Sequence, residues 1–350
     1  MDKEMKDIIE NSIYKEDLRL VAKEISLERL KNSSVLITGG LGLICSAVVD
    51  VLIFYNQSTD ANIKIYVADI NEEFYESRYG KYGCVECLKY DATKPIEFDV
   101  DVDYIIHGAG LASPELYVSR PVETMLSNFD GVHRLLDYSS KHNVKRLLYI
   151  SSSEVYGIKE SEDAFCEDKF GSVDINSVRS SYSEAKRAAE VLCKSYSSEY
   201  NIDTVIVRPG HIYGPTASPK DKRISSEFAY RASRGEDLLM KSSGLQKRSY
   251  CYSVDCASAI LFALINGVKG ESYNIGHDEV TRIRDMAFMI AEAGGVKLTV
   301  KDPTVEEMAQ FNPMNNSSLN NEKIKSIGYR DVFSVSEGLE HTVKILRDIY

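Results

Sequence analysis

The run VLITGGLGLICSAVVDVL, residues 35 to 52, restricts the possible folds of this chain more than any other stretch. It reads as a buried strand, a glycine-rich turn and a helix, the opening of a β–α unit built around a phosphate. Gly39 and Gly42 let the backbone come close to a pyrophosphate. The amides at the helix start, at Leu43 and Ile44, and the helix dipole hold it. The third position of the pattern, usually glycine for close helix–sheet packing, is Cys45. From it we expect a slightly wider helix seat and weaker binding. Asp69 ends the next strand, KIYVAD. A carboxylate there accepts bonds from the adenosine ribose hydroxyls and repels a 2′-phosphate, so NAD is favoured over NADP. Asp69 comes later than the ~20 residues of the usual fingerprint, and the polar stretch NQSTDAN absorbs the excess as a loop. Asp91, beside Ala92 in YDATKP, stands where a third strand presents a side chain to the adenine. A helix cap ahead of Pro95 is its other reading.

The alternation continues along the chain. VLIT (35–38), KIYVAD (64–69), YIIHGA (104–109), RLLYIS (146–151) and TVIVRP (204–209) read as buried strands. SAVVDVLIFYN, VETMLSNFDGVHRLLDYSSKH and YSEAKRAAEVLCKSYSSEY read as the helices between them. That pattern implies a parallel sheet covered on both faces, the doubly wound α/β (Rossmann) fold. After Pro215 shorter elements suggest a smaller C-terminal α/β lobe that caps the strand ends. We expect a helical extension at 1–32, an NAD-binding domain with the catalytic helix at 33–210, and a substrate-binding lobe at 211–350. Some of that lobe should cross back to the first domain. In the extension Ile8, Ile9, Ile13, Leu18, Leu20, Val21, Ile25 and Leu30 recur at helical spacing. They suit amphipathic helices laid on the domain surface or on a partner chain.

Composition narrows the partners. With 42 Lys+Arg against 53 Asp+Glu the net charge is −11, which disfavours non-specific nucleic-acid binding but allows a local basic pocket. No apolar run approaches the roughly 18 residues needed to cross a bilayer, and the charged start MDKEMKDIIENSIYKEDLRL lacks the apolar block of a signal peptide. We expect a cytoplasmic protein. The seven cysteines have no regular spacing, and Cys84 and Cys87 form a lone CxxC. A tetrahedral zinc site needs four ligands, so we expect structural thiols and no metal.

Two further clusters carry chemistry. YSEAK puts Tyr182 and Lys186 on one face of a helix. A phenol is a poor base at neutral pH, but an ammonium one turn away and a positively charged nicotinamide ring favour the phenolate. Upstream, SSSEVYG crowds Ser152, Ser153 and Glu154 at the end of a strand.

On these residues, residues 33 to 345 of the chain resemble the extended short-chain dehydrogenase/reductase family, which acts on nucleotide sugars. Within it, HGAGLASPELYVSRPVETMLSNFDGVHRLLDYSSKHNVKRLLYISSSEVYG looks most like the UDP-glucuronate decarboxylases. The ASP…Y…P…N…G spacing and the Ser-Glu pair before VYG carry that likeness, although GDP-mannose 4,6-dehydratases also have Ser-Glu there. Glucose 4,6-dehydratases would show Asp at position 153, and 4-epimerases usually lack the Glu. The resemblance implies that Tyr182 takes the proton of the sugar 4-hydroxyl while Ser152 holds that oxygen. Hydride passes to NAD⁺, and Lys186 holds the nicotinamide ribose. In a uronic acid the resulting ketone lies β to the carboxylate, so carbon dioxide can leave, with Ser153 and Glu154 positioning the carboxylate or a water. In a dehydratase Glu154 would instead remove the carbon 5 proton. The same resemblance assigns Gly108, Ala109, Asn128 and Pro209 to the cofactor and Ser113 to the substrate.

In the second lobe the resemblance implies a diphosphate site at Arg248, with Arg282 a weaker candidate. His211 stands where relatives carry Asn, and Glu227 where an Asn meets the diphosphate. These departures bear on the nucleotide and sugar more than on the hydride chemistry. The leading expectation is an NAD-dependent decarboxylase of the UDP-glucuronate type; a 4,6-dehydratase or 4-epimerase comes second. A dinucleotide-binding regulatory protein without turnover is third. A homodimer through the two long helices is expected by family analogy.

Overall fold

Val35, Leu36, Ile37 and Thr38 are all fully buried, so the strand they form needs cover on both faces. The structure, a computed structural model, describes residues 7–301 and 314–350. Its first strands are β1 (Ser34–Thr38), β2 (Lys64–Asp69), β3 (Val85–Lys89), β4 (Tyr104–His107), β5 (Arg146–Ile150) and β6 (Thr204–Pro209). Later come β7 (His211–Tyr213), β8 (Leu238–Met240), β9 (Lys247–Tyr252), β10 (Ser272–Ile275), β11 (Val280–Arg282), β12 (Leu298–Val300) and β13 (Asn316–Ser317). One sheet has seven strands in the order β10-β6-β5-β4-β1-β2-β3, every neighbouring pair parallel. The chain leaves β1 for β2 on one side, and β4 returns on the other. A crevice at the carboxyl ends of the strands follows from that reversal.

The helices that matter are α1 (Ser12–Glu24), α2 (Leu43–Ser58), α3 (Glu72–Tyr79), α4 (Pro114–Ser119), α5 (Pro121–Lys141), α6 (Ser181–Glu199), α7 (Ile224–Ser233), α8 (Ser253–Asn266) and α9 (Ile283–Gly294). Successive strand residues point to opposite faces. Ile37, Val67, Ile106, Leu148 and Val205 pack with residues of α2 and α8. Leu36, Ala68, Ile105, Leu147 and Ile206 pack with α5 and α6. The sheet is therefore covered on both sides, as a doubly wound α/β fold requires.

The N-terminal segment joins this core. Ile8, Ile9, Leu18, Val21, Ile25 and Leu30 are buried in the same apolar cluster as α2 and α8, with Ile13 and Leu20 partly buried against it. The helices therefore lie on their own chain. Tyr14, not counted among the apolar positions, is fully buried and donates to Asp50 Oδ2 at 2.8 Å. Asp17 is buried too, accepting from the Tyr252 hydroxyl at 2.8 Å and lying 2.9 Å from His341 Nδ1.

Beyond Pro215, β9 sits between β11 and β13 and also pairs with β7, while β8 pairs with β12. Helices α7 and α9 pack with the last helix, Val335–Ile349. Two elements from this part of the sequence return to the main sheet: β10 as an edge strand and α8 against β5 and β6. Among the described residues no helix is long and apolar enough to cross a membrane, and no group of His, Cys, Asp and Glu is placed to hold a metal ion.

Candidate active site

The glycine turn after β1 is built for close approach. Gly39 has φ +69°, a left-handed conformation, and a Cβ there would lie 2.9 Å from the Ala109 backbone. Only glycine meets both demands. Gly42 is the N-cap of α2 and has no side-chain capping bond. The first-turn amides of an α-helix, here including Leu43 and Ile44, have no partner within the helix, and they favour an anion. Asp69 closes the turn from β2, its Oδ2 accepting from the Leu41 amide at 3.2 Å and its Oδ1 from the Ile70 amide at 2.8 Å. Cys45 is buried, and its sulfur lies where a side chain on Gly108 would collide with it. The missing Cβ of Gly108 thus makes room for the thiol in the seam between helix and sheet. Burial pushes that thiol up to about 12, so it is a protonated packing group.

Neighbouring loops complete the crevice. Thr38 receives the Gly108 amide on its carbonyl at 3.1 Å and the Ala109 amide on its hydroxyl at 3.3 Å. Asn128 is buried, and its Nδ2 donates to Leu111 O at 3.1 Å and Thr124 O at 2.8 Å. Its Oδ1 is buried without a partner and faces Gly110, a fit for a donor on a bound ligand. Asp91 lies two residues past β3, where its Oδ1 accepts from the Thr93 amide at 2.9 Å and the Thr93 hydroxyl at 2.7 Å. Its carboxylate therefore caps its own turn. Ala92 is buried, its carbonyl accepting from Arg134 Nη1 at 3.0 Å.

The hydroxyl and carboxylate cluster forms at the end of β5. Ser152 is the N-cap of a short 3-10 turn, Ser153–Tyr156, its hydroxyl accepting from the Glu154 amide at 3.2 Å. Tyr182, in the first turn of α6, is stacked on Tyr117 of α4 with ring centroids 4.2 Å apart and planes 8° from parallel. Lys186 is buried one turn later and donates to Ile150 O at 2.8 Å. Its Nζ sits 4.7 Å from the Tyr149 ring centre and 5.8 Å from that of Tyr182.

At the phenol, burial dominates the electrostatics of the chain's own groups. Burial pushes Tyr182 up to about 12; hydrogen bonding to Ser152 opposes the rise and the Glu154 carboxylate adds to it. Burial also drives the Lys186 ammonium down to about 7, against the pull of Glu190. Desolvation therefore outweighs Ser152, Tyr117 and Arg223, the groups that favour the phenolate.

On the second lobe, His211 opens β7 beside β9, edge-on to Tyr250 at 5.8 Å. Burial, with Arg248 and Arg223 adding to it, lowers its imidazole to about 3, so the ring is neutral, and its buried Nδ1 has no partner. Arg248 is buried in β9, its Nη1 donating to Lys247 O at 2.8 Å and Met314 O at 3.3 Å. Pro209 ends β6, two residues before His211. Ser113 is the exposed N-cap of α4. Two further residues are exposed to solvent. Glu227 is exposed on the first turn of α7. Arg282 pairs across the strands with Lys247, while Arg248 pairs with Thr281. Directly opposed residues share a face and neighbours alternate, so Arg282 and Arg248 point to opposite sides.

The glycine cradle and the Ser–Glu–Tyr–Lys cluster lie within a stretch that matches a known family model. The model described as the NAD dependent epimerase/dehydratase family covers residues 35–276. The chain belongs to that family. Its cofactor is NAD. Among curated relatives, UDP-glucuronic acid decarboxylase 6 of Arabidopsis thaliana is 31% identical over 284 residues, 81% of either chain. A dTDP-D-glucose 4,6-dehydratase of Mus musculus is 26% identical, covering 89% of this chain and 88% of its own. Among solved structures, the UDP-glucose 4-epimerase of Thermus thermophilus in complex with NAD has a TM-score of 0.73 at 24% identity, covering 90% of this chain and 99% of that one.

Within this epimerase/dehydratase chain, two site neighbours were not singled out as site residues from sequence. Tyr117 stacks on the candidate base, and Arg179 forks onto Glu154. Arg179 had a readable signal, since it precedes Tyr182 by a helical i, i+3 spacing. Tyr117 had only its place in the ASP…Y motif.

Proposed function

We propose that this protein oxidises a nucleotide sugar at carbon 4 to a 4-keto sugar and then removes carbon dioxide from a substrate of the UDP-glucuronate type. The observation that carries the reading is the convergence of Ser152, Glu154 and Tyr182 beside Lys186, whose anchor Ile150 also borders Gly108 of the cradle. Tyr182 takes the proton of the 4-hydroxyl, and Ser152 hydrogen-bonds the same oxygen. NAD, when bound, accepts the hydride of that oxidation and later returns it to the ketone. Gly39, Gly42 and Asp69 hold the dinucleotide, and Lys186 supplies the cation that favours the phenolate. With a ketone at carbon 4, the carboxylate of a uronic acid lies β to the carbonyl. The bond to the carboxyl carbon breaks, its electron pair passes into an enolate, and carbon 5 takes up a proton. Ser153 and Glu154 position the carboxylate or a water for that step. Arg248 and neutral His211 are the groups we assign to the diphosphate side. The identity to the plant decarboxylase supports this choice.

A 4,6-dehydratase is the second reading, favoured by the effect of Glu154 on the Tyr182 phenol. A carboxylate that close to the reacting edge of the sugar can remove the carbon 5 proton while the 6-hydroxyl leaves. Incubation with NAD⁺ and a panel of nucleotide sugars, followed by mass spectrometry, tests both. Loss of carbon dioxide supports the first, loss of water the second, and an isomer of unchanged mass a 4-epimerase. NAD binding with no altered sugar would leave a regulatory protein without turnover.

A homodimer belongs to the same reading. Helices α5 and α6 pack together and leave Val122, Met125, Leu126 and Val191 exposed, an apolar surface suited to a second copy. Sedimentation at micromolar protein would find a dimer, and a monomer would remove this part of the proposal. We assign residues 33–210 to NAD and the strands and helices after 211 chiefly to the sugar, with α8 and β10 serving the main sheet.

A further inference from the structure

Glu154 has one side-chain partner among the described residues. Arg179 donates from Nη1 to Oε2 and from Nη2 to Oε1, each at 3.2 Å. A fork that meets both oxygens fixes the plane of a carboxylate as well as its place. Arg179 lies in the 3-10 turn Val178–Ser180 that leads into α6, and Glu154 lies in the turn that follows β5. The pair therefore ties together the two segments that carry Tyr182 and Ser152. The Arg179 side chain is 42% exposed and that of Glu154 27%, and so wet a pair contributes little to folding. Its position beside the base is what gives it a use.

Four other titratable groups face Tyr182 and Glu154; none of them forks onto the Glu154 carboxylate, and Tyr117 also hydrogen-bonds Tyr182. The four are Tyr117 from α4, Lys186 from α6, Arg223 ahead of α7 and Arg248 from β9. The Tyr117 hydroxyl donates to Ala112 O at 2.9 Å, Lys186 to Ile150 O at 2.8 Å, and Arg223 Nε to Asp221 Oδ2 at 2.9 Å. Arg248 is held on the carbonyls of Lys247 and Met314.

We propose that Arg179 is a positioning residue, which aims the Glu154 carboxylate and cancels its charge beside the Tyr182 phenol. The proposal rests on the reading of Tyr182 as the base. Without Arg179, Glu154 would be an unpaired anion next to a group that must itself become an anion, and repulsion would hold the proton on.

The test is the pH dependence of turnover, on whichever nucleotide sugar the wild-type protein converts. It compares wild type, E154Q, R179Q, R179K and the double variant R179Q/E154Q. R179Q should move the limiting ionisation upward by about one pH unit, which lowers turnover near neutrality about tenfold. R179K keeps a cation without the fork, so it should restore the position of the limb but not the full rate. In R179Q/E154Q the limb should return to its position in E154Q, because the charge to be cancelled is gone. A limb unmoved in R179Q, or a shift that E154Q does not abolish, overturns the proposal and leaves the carbon 4 chemistry standing. If E154Q has no measurable turnover, or R179Q does not fold, R179K decides: a lowered rate on an unmoved limb supports the role, and an unchanged rate overturns it. Wild-type protein that binds NAD and converts no nucleotide sugar overturns both readings together.

Discussion

As the proposed base, Tyr182 must lose a proton in surroundings that resist it. Burial pushes the phenol up to about 12 and Lys186 down to about 7, so the unaided pair is biased toward its two neutral forms. With the phenolate as the working form of the proposed base, turnover should climb as pH rises from neutral into the alkaline range. Tyr182→Phe should lower turnover by about 10²- to 10⁴-fold while NAD titration stays close to wild type. Unchanged turnover would remove Tyr182 from its role. Gly39 makes a sharper case, because two constraints fall on one atom. A left-handed conformation costs an L-residue ~1–2 kcal/mol, and a Cβ there also meets the Ala109 backbone. Gly39→Ala should weaken NAD binding by about tenfold or more in calorimetric titration. Gly83→Ala, at a glycine with open space around it, should leave binding unaltered.

Helix α6 owes its placement to a buried ionic network. Glu190, one turn past Lys186, takes two bonds from Arg208 of β6, at 2.9 Å from Nε and 2.6 Å from Nη2. Arg208 Nη1 also donates to the Tyr156 hydroxyl at 2.9 Å, and Tyr156 donates to Asn274 of β10 at 2.6 Å. Since Tyr156 closes the turn that begins at Ser153, one network spans α6, that turn and two strands. Glu190→Gln leaves the guanidinium buried without its counter-charge, at a cost of ~3–5 kcal/mol that a lowered urea midpoint would reveal. It also removes the carboxylate that holds Lys186 up, so the lysine should lose its proton at lower pH. Little of this network was legible in the sequence. Strands β1, β2, β4, β5 and β6 could be read because each is a short apolar run bounded by helical periodicity. Strand β10, SYNI, is short, half polar and set among irregular elements, and only its pairing with β6 makes it a strand. The residues of the site could be read where a motif spaces them, as Tyr182 and Lys186 are. Arg179 shows its nearness to Tyr182 in a three-residue spacing, but its partner becomes visible only once Glu154 folds against it. The direction of the Tyr182 shift depends on burial, which sequence spacing does not carry.

At the scale of the molecule the N-terminal segment behaves as part of the core. Ile8, Ile9, Tyr14, Leu18, Val21, Ile25, Leu27 and Leu30 are each at most 5% exposed. Full burial of such a side chain is worth ~1.5–3 kcal/mol, and a domain's whole stability is about 5–15 kcal/mol. Removing residues 1–32 should therefore abolish the cooperative thermal transition and yield aggregating protein, and not merely detach an accessory helix. A truncated chain that kept the wild-type Tm would show the segment to be dispensable. A milder perturbation of the same contact uses pH. The bond to Asp17 raises His341 above its ordinary value, with partial burial opposing it. Its stabilisation is thus fully present below the unfolded value of about 6.5 and fades as pH rises through the folded value. The Tm advantage of wild type over His341→Gln should accordingly be largest in mildly acidic buffer and shrink as pH rises. An advantage that grew with pH would mean that Asp17 does not raise the histidine, and that α1 is docked by its apolar face and its bonds to Tyr252 and Asp50.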